Sequence, residues 1–246
     1  MVTTPLVQRV FPEHGWGGFT RIDGTVQFYQ RVQALLPDTG TILDLGCGRG
    51  KRQDDPSPYR QQLQELRGPQ RRVIGIYVDP AAQENPFIDE FHLIEQLDHW
   101  PIDDASMDFI VSDFVVEHVT DPDAFFSEVQ RVLKPSGVIC IRTPNAWSYV
   151  ALAARLIPNR MHARVLRVAQ SGRKEEDVFP TVYRCNTAGR LRRTLARHGL
   201  QGVVYAHEAE PGYLAFSSLL YRLAAGCQPL LPAWFRTTLL AFGRKT

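Results

Sequence analysis

Apolar residues in this chain gather into short runs, each bounded by turn-forming or charged positions. Thr41 to Leu45, Val73 to Asp79, Phe91 to Ile94, Asp108 to Ser112, Val138 to Arg142 and Val203 to His207 all have this form. Short, nearly continuous apolar runs read as buried strands. Between them the spacing changes to that of helices. Val26, Phe28 or Tyr29, Val32, Leu35 and Leu36 have the apolar spacing of a helix over Thr25 to Leu36, which Pro37-Asp38-Thr39-Gly40 breaks. A second helix is expected from Ser57 to Leu66. A third runs from Phe125 towards Leu133 and is closed by Pro135 and Gly137. Asn186 is read as the N-cap of a helix that ends near His198 at Gly199.

The stretches that do not fit this alternation define the rest of the organisation. Residues 1–20 read as an irregular arm, and 1–36 as arm plus helix. Lys51 to Arg72 is very polar, longer than a minimal connection. Residues 146–182 form an insertion with helical spacing from Trp147 to Ile157 and again from Met161 to Val168. It carries Arg155, Arg160, Arg164, Arg167, Arg173 and Lys174 against Glu175, Glu176 and Asp177. An insertion of that length is expected to act as a substrate lid. An apolar segment, 211–236, is punctuated by Pro229 and Pro232. It is expected to cover the core or the lid, with a position on a membrane surface as the alternative.

With 246 residues the chain is long enough for one α/β domain with an insertion, read here as a single domain 1–246. Apolar content of 44% and charged content of 22% are those of an ordinary globular protein. The four cysteines, Cys47, Cys140, Cys185 and Cys227, contain no C-x-x-C pair, so neither a metal site nor a disulfide framework is suggested and a cytoplasmic setting is expected. Met1 to Val10 lacks an apolar core of signal-peptide length, and no run of membrane-spanning length occurs. The basic residues are not interleaved with aromatic ones, so no nucleic-acid module is recognisable.

One stretch carries chemistry. Thr41-Ile42-Leu43-Asp44-Leu45-Gly46-Cys47-Gly48-Arg49-Gly50 is a strand running into three glycines at alternate positions. Glycine tolerates positive φ and lets another molecule approach the backbone. The dinucleotide fingerprint would need a further glycine where Lys51 stands. What is present, Asp-x-Gly-x-Gly-x-Gly, resembles motif I of the class I S-adenosylmethionine (SAM) dependent methyltransferases. The resemblance continues through His99-Trp100-Pro101-Ile102-Asp103-Asp104-Ala105-Ser106-Met107-Asp108 and Asp113-Phe114-Val115-Val116-Glu117-His118-Val119. It then runs from Phe125 to Gly137, covering the first 145 or so residues, and the segment through Glu117-His118-Val119 resembles that of the quinone-biosynthesis-type O-methyltransferases and their uncharacterised small-molecule relatives. Leu239 to Lys245 resembles the family's last strand.

The resemblance implies a doubly wound, Rossmann-like α/β fold with a seven-stranded, mostly parallel sheet. It implies S-adenosyl-L-methionine as cofactor, with Asp44, Gly46, Cys47, Gly48 and Gly50 around its amino acid end. The family's ribose carboxylate has no exact counterpart, because Tyr77 occupies the first acidic position. Asp79, on the same strand face by period-two alternation, is assigned the ribose. Gln96 and Leu97 fall at the adenine edge, and Ser112 and Asp113 at the floor beneath the sulfonium. His118 and Asp113 are the candidate catalytic residues, at the strand ends where doubly wound sheets bind ligands. The bland reading of His118 is a packing or hydrogen-bonding role. Tyr149, Tyr183 and Arg184 are the expected substrate wall. The function expected is methyl transfer to a small-molecule acceptor, at oxygen. An RNA or protein methyltransferase using the basic insertion, and a non-catalytic SAM-binding regulator in which Tyr77 weakens the site, are the alternatives. Oligomeric state is not legible.

Overall fold

The computed structural model describes residues 5–95, 99–156 and 180–246. Gln96, Leu97 and residues 157–179, the greater part of the expected lid, lie outside them.

The strands are β1 (Gly40–Leu45), β2 (Arg71–Tyr77), β3 (Glu90–Leu93), β4 (Met107–Asp113), β5 (Leu133–Pro144), β6 (Leu200–His207) and β7 (Thr238–Lys245). They form one seven-stranded sheet in the order β3-β2-β1-β4-β5-β7-β6. All neighbours are parallel except β7, which runs antiparallel to both β5 and β6. The chain builds outward from β1 to one side through β2 and β3, then returns to the other side of β1 with β4. That reversal opens a crevice at the C-terminal ends of β1 and β4, where open α/β sheets take their ligands.

Period-two alternation explains why the runs are apolar throughout. Ile42, Val73 and Phe109 face one layer, with Phe28, Tyr29 and Val32. Their neighbours Leu43, Ile74 and Ile110 face the other, with Phe125, Phe126 and Val129. Full burial of each such side chain contributes roughly 1.5–3 kcal/mol.

The helices are α1 (Leu6–Val10), α2 (Gly24–Leu35), α3 (Pro58–Leu63), α4 (Pro122–Val132), α5 (Tyr149–Leu156), α6 (Ala188–Arg197) and α7 (Ser218–Cys227). Their starts follow from sequence. Asp23 Oδ1 accepts the Thr25 and Val26 N–H groups at 2.9 Å each, Ser57 caps α3 and Asp121 caps α4, the last two with proline at the start of the helix. Among the described residues no helix is long and apolar enough to cross a membrane.

Some expectations are corrected. The arm is not irregular, since it holds α1 and a 3₁₀ turn over Pro12–Gly15, pinned where Phe11 meets Tyr221 edge-on at 6.4 Å. The cap of α6 is Thr187, whose Oγ1 accepts the Arg190 N–H. Asn186 turns inward instead and donates to Thr143 Oγ1 at 2.6 Å. Strand β2 stops at Tyr77. Asp79 lies in the turn beyond it and caps a 3₁₀ turn, accepting the Ala81 N–H at 2.9 Å, so the shared strand face of Tyr77 and Asp79 is lost. The helical start of that turn, fixed by Pro80, outcompetes strand extension. Finally, segment 211–236 leaves Tyr213, Phe216, Leu219, Leu220, Leu223, Leu230 and Trp234 exposed, so only part of it covers the core.

Candidate functional site

The glycine loop sits at the crevice mouth and each glycine is required for a different reason. Gly46, Gly48 and Gly50 all have positive φ, at 81°, 55° and 75°. A Cβ on Gly46 would stand 2.3 Å from Val115 Cγ2, in the segment after β4. One on Gly50 would stand 2.9 Å from Asn85 Oδ1 and Pro86 Cδ. A Cβ on Gly48 would meet nothing nearer than the Gly46 carbonyl at 4.0 Å, so beside this glycine the space is open. Asn85 fixes the loop from below: its Nδ2 donates to the Cys47 and Gly48 carbonyls at 3.0 and 3.1 Å. Cys47 packs its Sγ against Gly75, which has no side chain to exclude it.

Asp44 stands at the end of β1, beside Gly75 on one side and Val111 on the other. Burial pushes its carboxyl up to about 7, the nearby Asp113 carboxylate adds to this, and Arg52 opposes it. A half-buried carboxyl of this kind is suited to a cationic group brought by a ligand. Ser112, paired in register with Leu45, is fully buried, and its Oγ has no hydrogen-bond partner among the described residues. Open space at Gly48, a carboxyl held near neutrality and an orphaned hydroxyl at the next strand end fit the amino acid end of SAM.

Asp79 is paired with Arg49 of the loop. The Arg49 contact and the Ala81 N–H hold its carboxyl below the usual range. Tyr77, the last residue of β2, is partly buried, with its carbonyl accepting the Ile94 N–H at 3.0 Å.

Asp113 is not a free carboxylate. Arg142 of β5 donates Nε to Oδ1 and Nη2 to Oδ2, both at 2.6 Å, while the Tyr29 hydroxyl donates to Oδ2 at 3.1 Å. Arg142 also lies over the rings of Phe28, Tyr29 and Phe114. This ion pair joins α2, β4 and β5 beneath the crevice. Its members take three of the about four lone-pair sites of the carboxylate.

His118 Nδ1 is 2.8 Å from the Pro180 carbonyl, and the Val182 and Tyr183 N–H groups both donate to the Glu117 carbonyl. The histidine therefore ties the segment 180–183 to the turn after β4. The Glu117 side chain continues this inward, accepting the Thr143 hydroxyl at 2.9 Å.

A cavity of about 650 Å³ opens between the arm, the start of α2, α3, the ends of β4 and β5, and the chain between β6 and β7. Gly24, Thr25, Phe114, Arg142, Glu210 and Tyr221 are on its wall. Phe114 is held at φ 57°, its N–H donating to the Arg142 carbonyl at 2.8 Å. Glu210 accepts the Thr20 hydroxyl. Burial raises the Glu210 carboxyl above the usual range, while the Thr20 hydroxyl lowers it. None of Tyr149, Tyr183, Arg184 and His118 lines this cavity. Tyr149 instead donates to Glu208 at 3.1 Å. Sequence reasoning missed Asn85, Arg142, Phe114 and Glu210. An arginine inside an otherwise apolar strand, Ile139-Cys140-Ile141-Arg142, was the one visible signal.

The model of a methyltransferase domain matches residues 20–204. A probable S-adenosylmethionine-dependent methyltransferase of Mycolicibacterium smegmatis is 35% identical over 135 residues, 52% of this chain and 47% of its own length. Another from Mycobacterium tuberculosis is 31% identical over 180 residues, 70% of this chain and 60% of its own. The chain thus spans about half the length of the curated relatives it matches. In fold it is similar to a solved S-adenosylmethionine-dependent methyltransferase of Listeria monocytogenes, with TM-score 0.53 at 17% identity, covering 90% of this chain and 98% of that one. Glycine loop, strand order and matched sequence agree: the chain belongs to the methyltransferase-domain family of class I SAM-dependent methyltransferases.

Proposed function

We propose that this chain transfers a methyl group from SAM to an oxygen of a small-molecule acceptor bound in the cavity at the C-terminal ends of β4 and β5. The observation that supports this most is the cavity wall. Phe114 follows β4 and Arg142 lies near the end of β5, at the same end of the parallel strands as the glycine loop that follows β1, while Glu210 and Tyr221 also line the cavity. A volume of about 650 Å³ is of the size that small ligands occupy.

When bound, SAM supplies a methyl group on a sulfonium that is already a good leaving group. The protein's task is therefore alignment. Asp44 as carboxylate holds the ammonium end, and the bare backbone of Gly48 lets it come close. Asp79 serves the ribose hydroxyls with the lone pairs left by Arg49 and Ala81. Ser112 lies beneath, and the adenine edge is assigned to Gln96 and Leu97. Arg142 and Asp113 neutralise each other and fix Phe114, so they position the cavity wall.

An attacking hydroxyl must lose its proton as it reacts. Glu210 suits that step: it lines the cavity, and its carboxyl sits above the usual range through burial. His118 acts in this reading as a tether for the segment 180–183. The test is transfer of labelled methyl from SAM to a panel of hydroxyl, amine and thiol acceptors. Glu210→Gln should lower kcat by about a hundredfold with SAM affinity unchanged. Transfer only to non-oxygen acceptors, or an unaffected Glu210→Gln enzyme, would overturn it.

A further inference from the structure

Helix α7 divides into two faces. Tyr221 turns inward, 3% exposed, onto Phe11 and the cavity. Leu219, Leu220, Leu223 and Cys227, spaced by helical turns, form an outward stripe, and the leucines are 67%, 41% and 56% exposed. Phe216 before the helix and Leu230 after it are also exposed, at 57% and 84%. Scattered single apolar residues need no explanation, but a contiguous apolar face of this kind marks an interaction surface.

We propose that this face docks on the surface of an anionic lipid bilayer. Charge selects the partner. Residues 211–236 contain Arg222 and Arg236 and no acidic residue, and Arg222 is exposed beside the leucines. A leucine stripe with an arginine beside it and no acidic residue is a composition that suits a helix lying in the headgroup plane. The stripe covers one face of a helix of 10 residues, so the contact proposed is peripheral.

The experiment is flotation of the full chain with vesicles of equal parts phosphatidylglycerol and phosphatidylcholine, and with phosphatidylcholine alone. Thermal melting and sedimentation velocity run alongside. Binding to the anionic vesicles, weakened by salt, is expected, with the double variant Leu219→Gln, Leu223→Gln bound roughly tenfold or more weakly at an unchanged Tm. SAM affinity, read by calorimetry without lipid, should be the same in both proteins. Absent vesicle binding, or equal binding by the double variant, overturns the proposal. So does a lowered Tm in the double variant, which would mean that the chain itself covers these leucines. A dimer that the variant dissociates, without vesicle binding, would assign the face to a second copy.

Discussion

Arg142 and Asp113 face each other across neighbouring strands with two parallel hydrogen bonds of 2.6 Å. Arg142 is 7% exposed, and Asp113 raises its pKa against the cost of burial. Removing one partner of such a pair strands the other charge. Arg142→Leu should destabilise the protein by about 3–5 kcal/mol, a fall of roughly 10 °C in Tm. Pairing it with Asp113→Leu should recover part of that loss. Urea unfolding of both variants measures it, and equal loss in the single and double variants would refute the coupling.

The glycines of the loop predict separable effects. Gly48→Val should leave most of the stability in place, because nothing of the protein stands within 4.0 Å of its Cβ apart from strain at φ 55°. It should nonetheless weaken SAM binding by about a hundredfold or more, since the side chain enters the open space that the ligand needs. Gly46→Val should do the reverse and lower Tm first, through its collision with Val115. Calorimetric titration and melting of the two variants distinguish these outcomes.

Asp79 and Tyr77 separate along similar lines. Asp79 keeps a place near the end of β2, though in the turn, and Arg49 holds it ionised. Asp79→Ala should weaken SAM binding by about ten- to a hundredfold, and Tyr77→Phe by little, because one phenol hydroxyl cannot replace two carboxylate oxygens. Normal SAM binding by Asp79→Ala, with much tighter binding by Tyr77→Asp, would move the ribose contact to the position of Tyr77.

What the sequence disclosed, and what it withheld, follows from range. The strands and the glycine loop were legible because each depends on neighbours in the chain: period-two burial at Ile42 and Leu43, positive φ at Gly46, Gly48 and Gly50. Asn85 could not be read as a clasp because its partners lie 38 and 37 residues away. The Arg142 and Asp113 pair, 29 residues apart, was hidden in the same way. Asp79 was misplaced by two residues of strand, the kind of boundary that a following proline shifts. Segment 211–236 was apolar enough to suggest cover, and only packing reveals that one face of α7 leaves its leucines exposed.

Asp44 makes the site sensitive to pH. Its carboxyl sits at about 7 in the free protein, raised above its unfolded value by burial. Between those two values the folded chain holds a proton that the unfolded chain has released. Asp44 therefore lowers stability as pH rises through that window, and its contribution levels off above about 7. An ammonium group bound beside Asp44 favours the ionised form and reverses this. SAM binding should then expel close to one proton at pH 6 and almost none at pH 8.5, with affinity falling by up to about tenfold per pH unit below 7. Calorimetry in buffers of different ionisation enthalpy counts that proton. Asp44→Asn should bind more weakly at pH 8 and lose the proton release altogether. Proton release that persists in Asp44→Asn would locate the titrating group elsewhere, and Asp44 would not be the ammonium's partner.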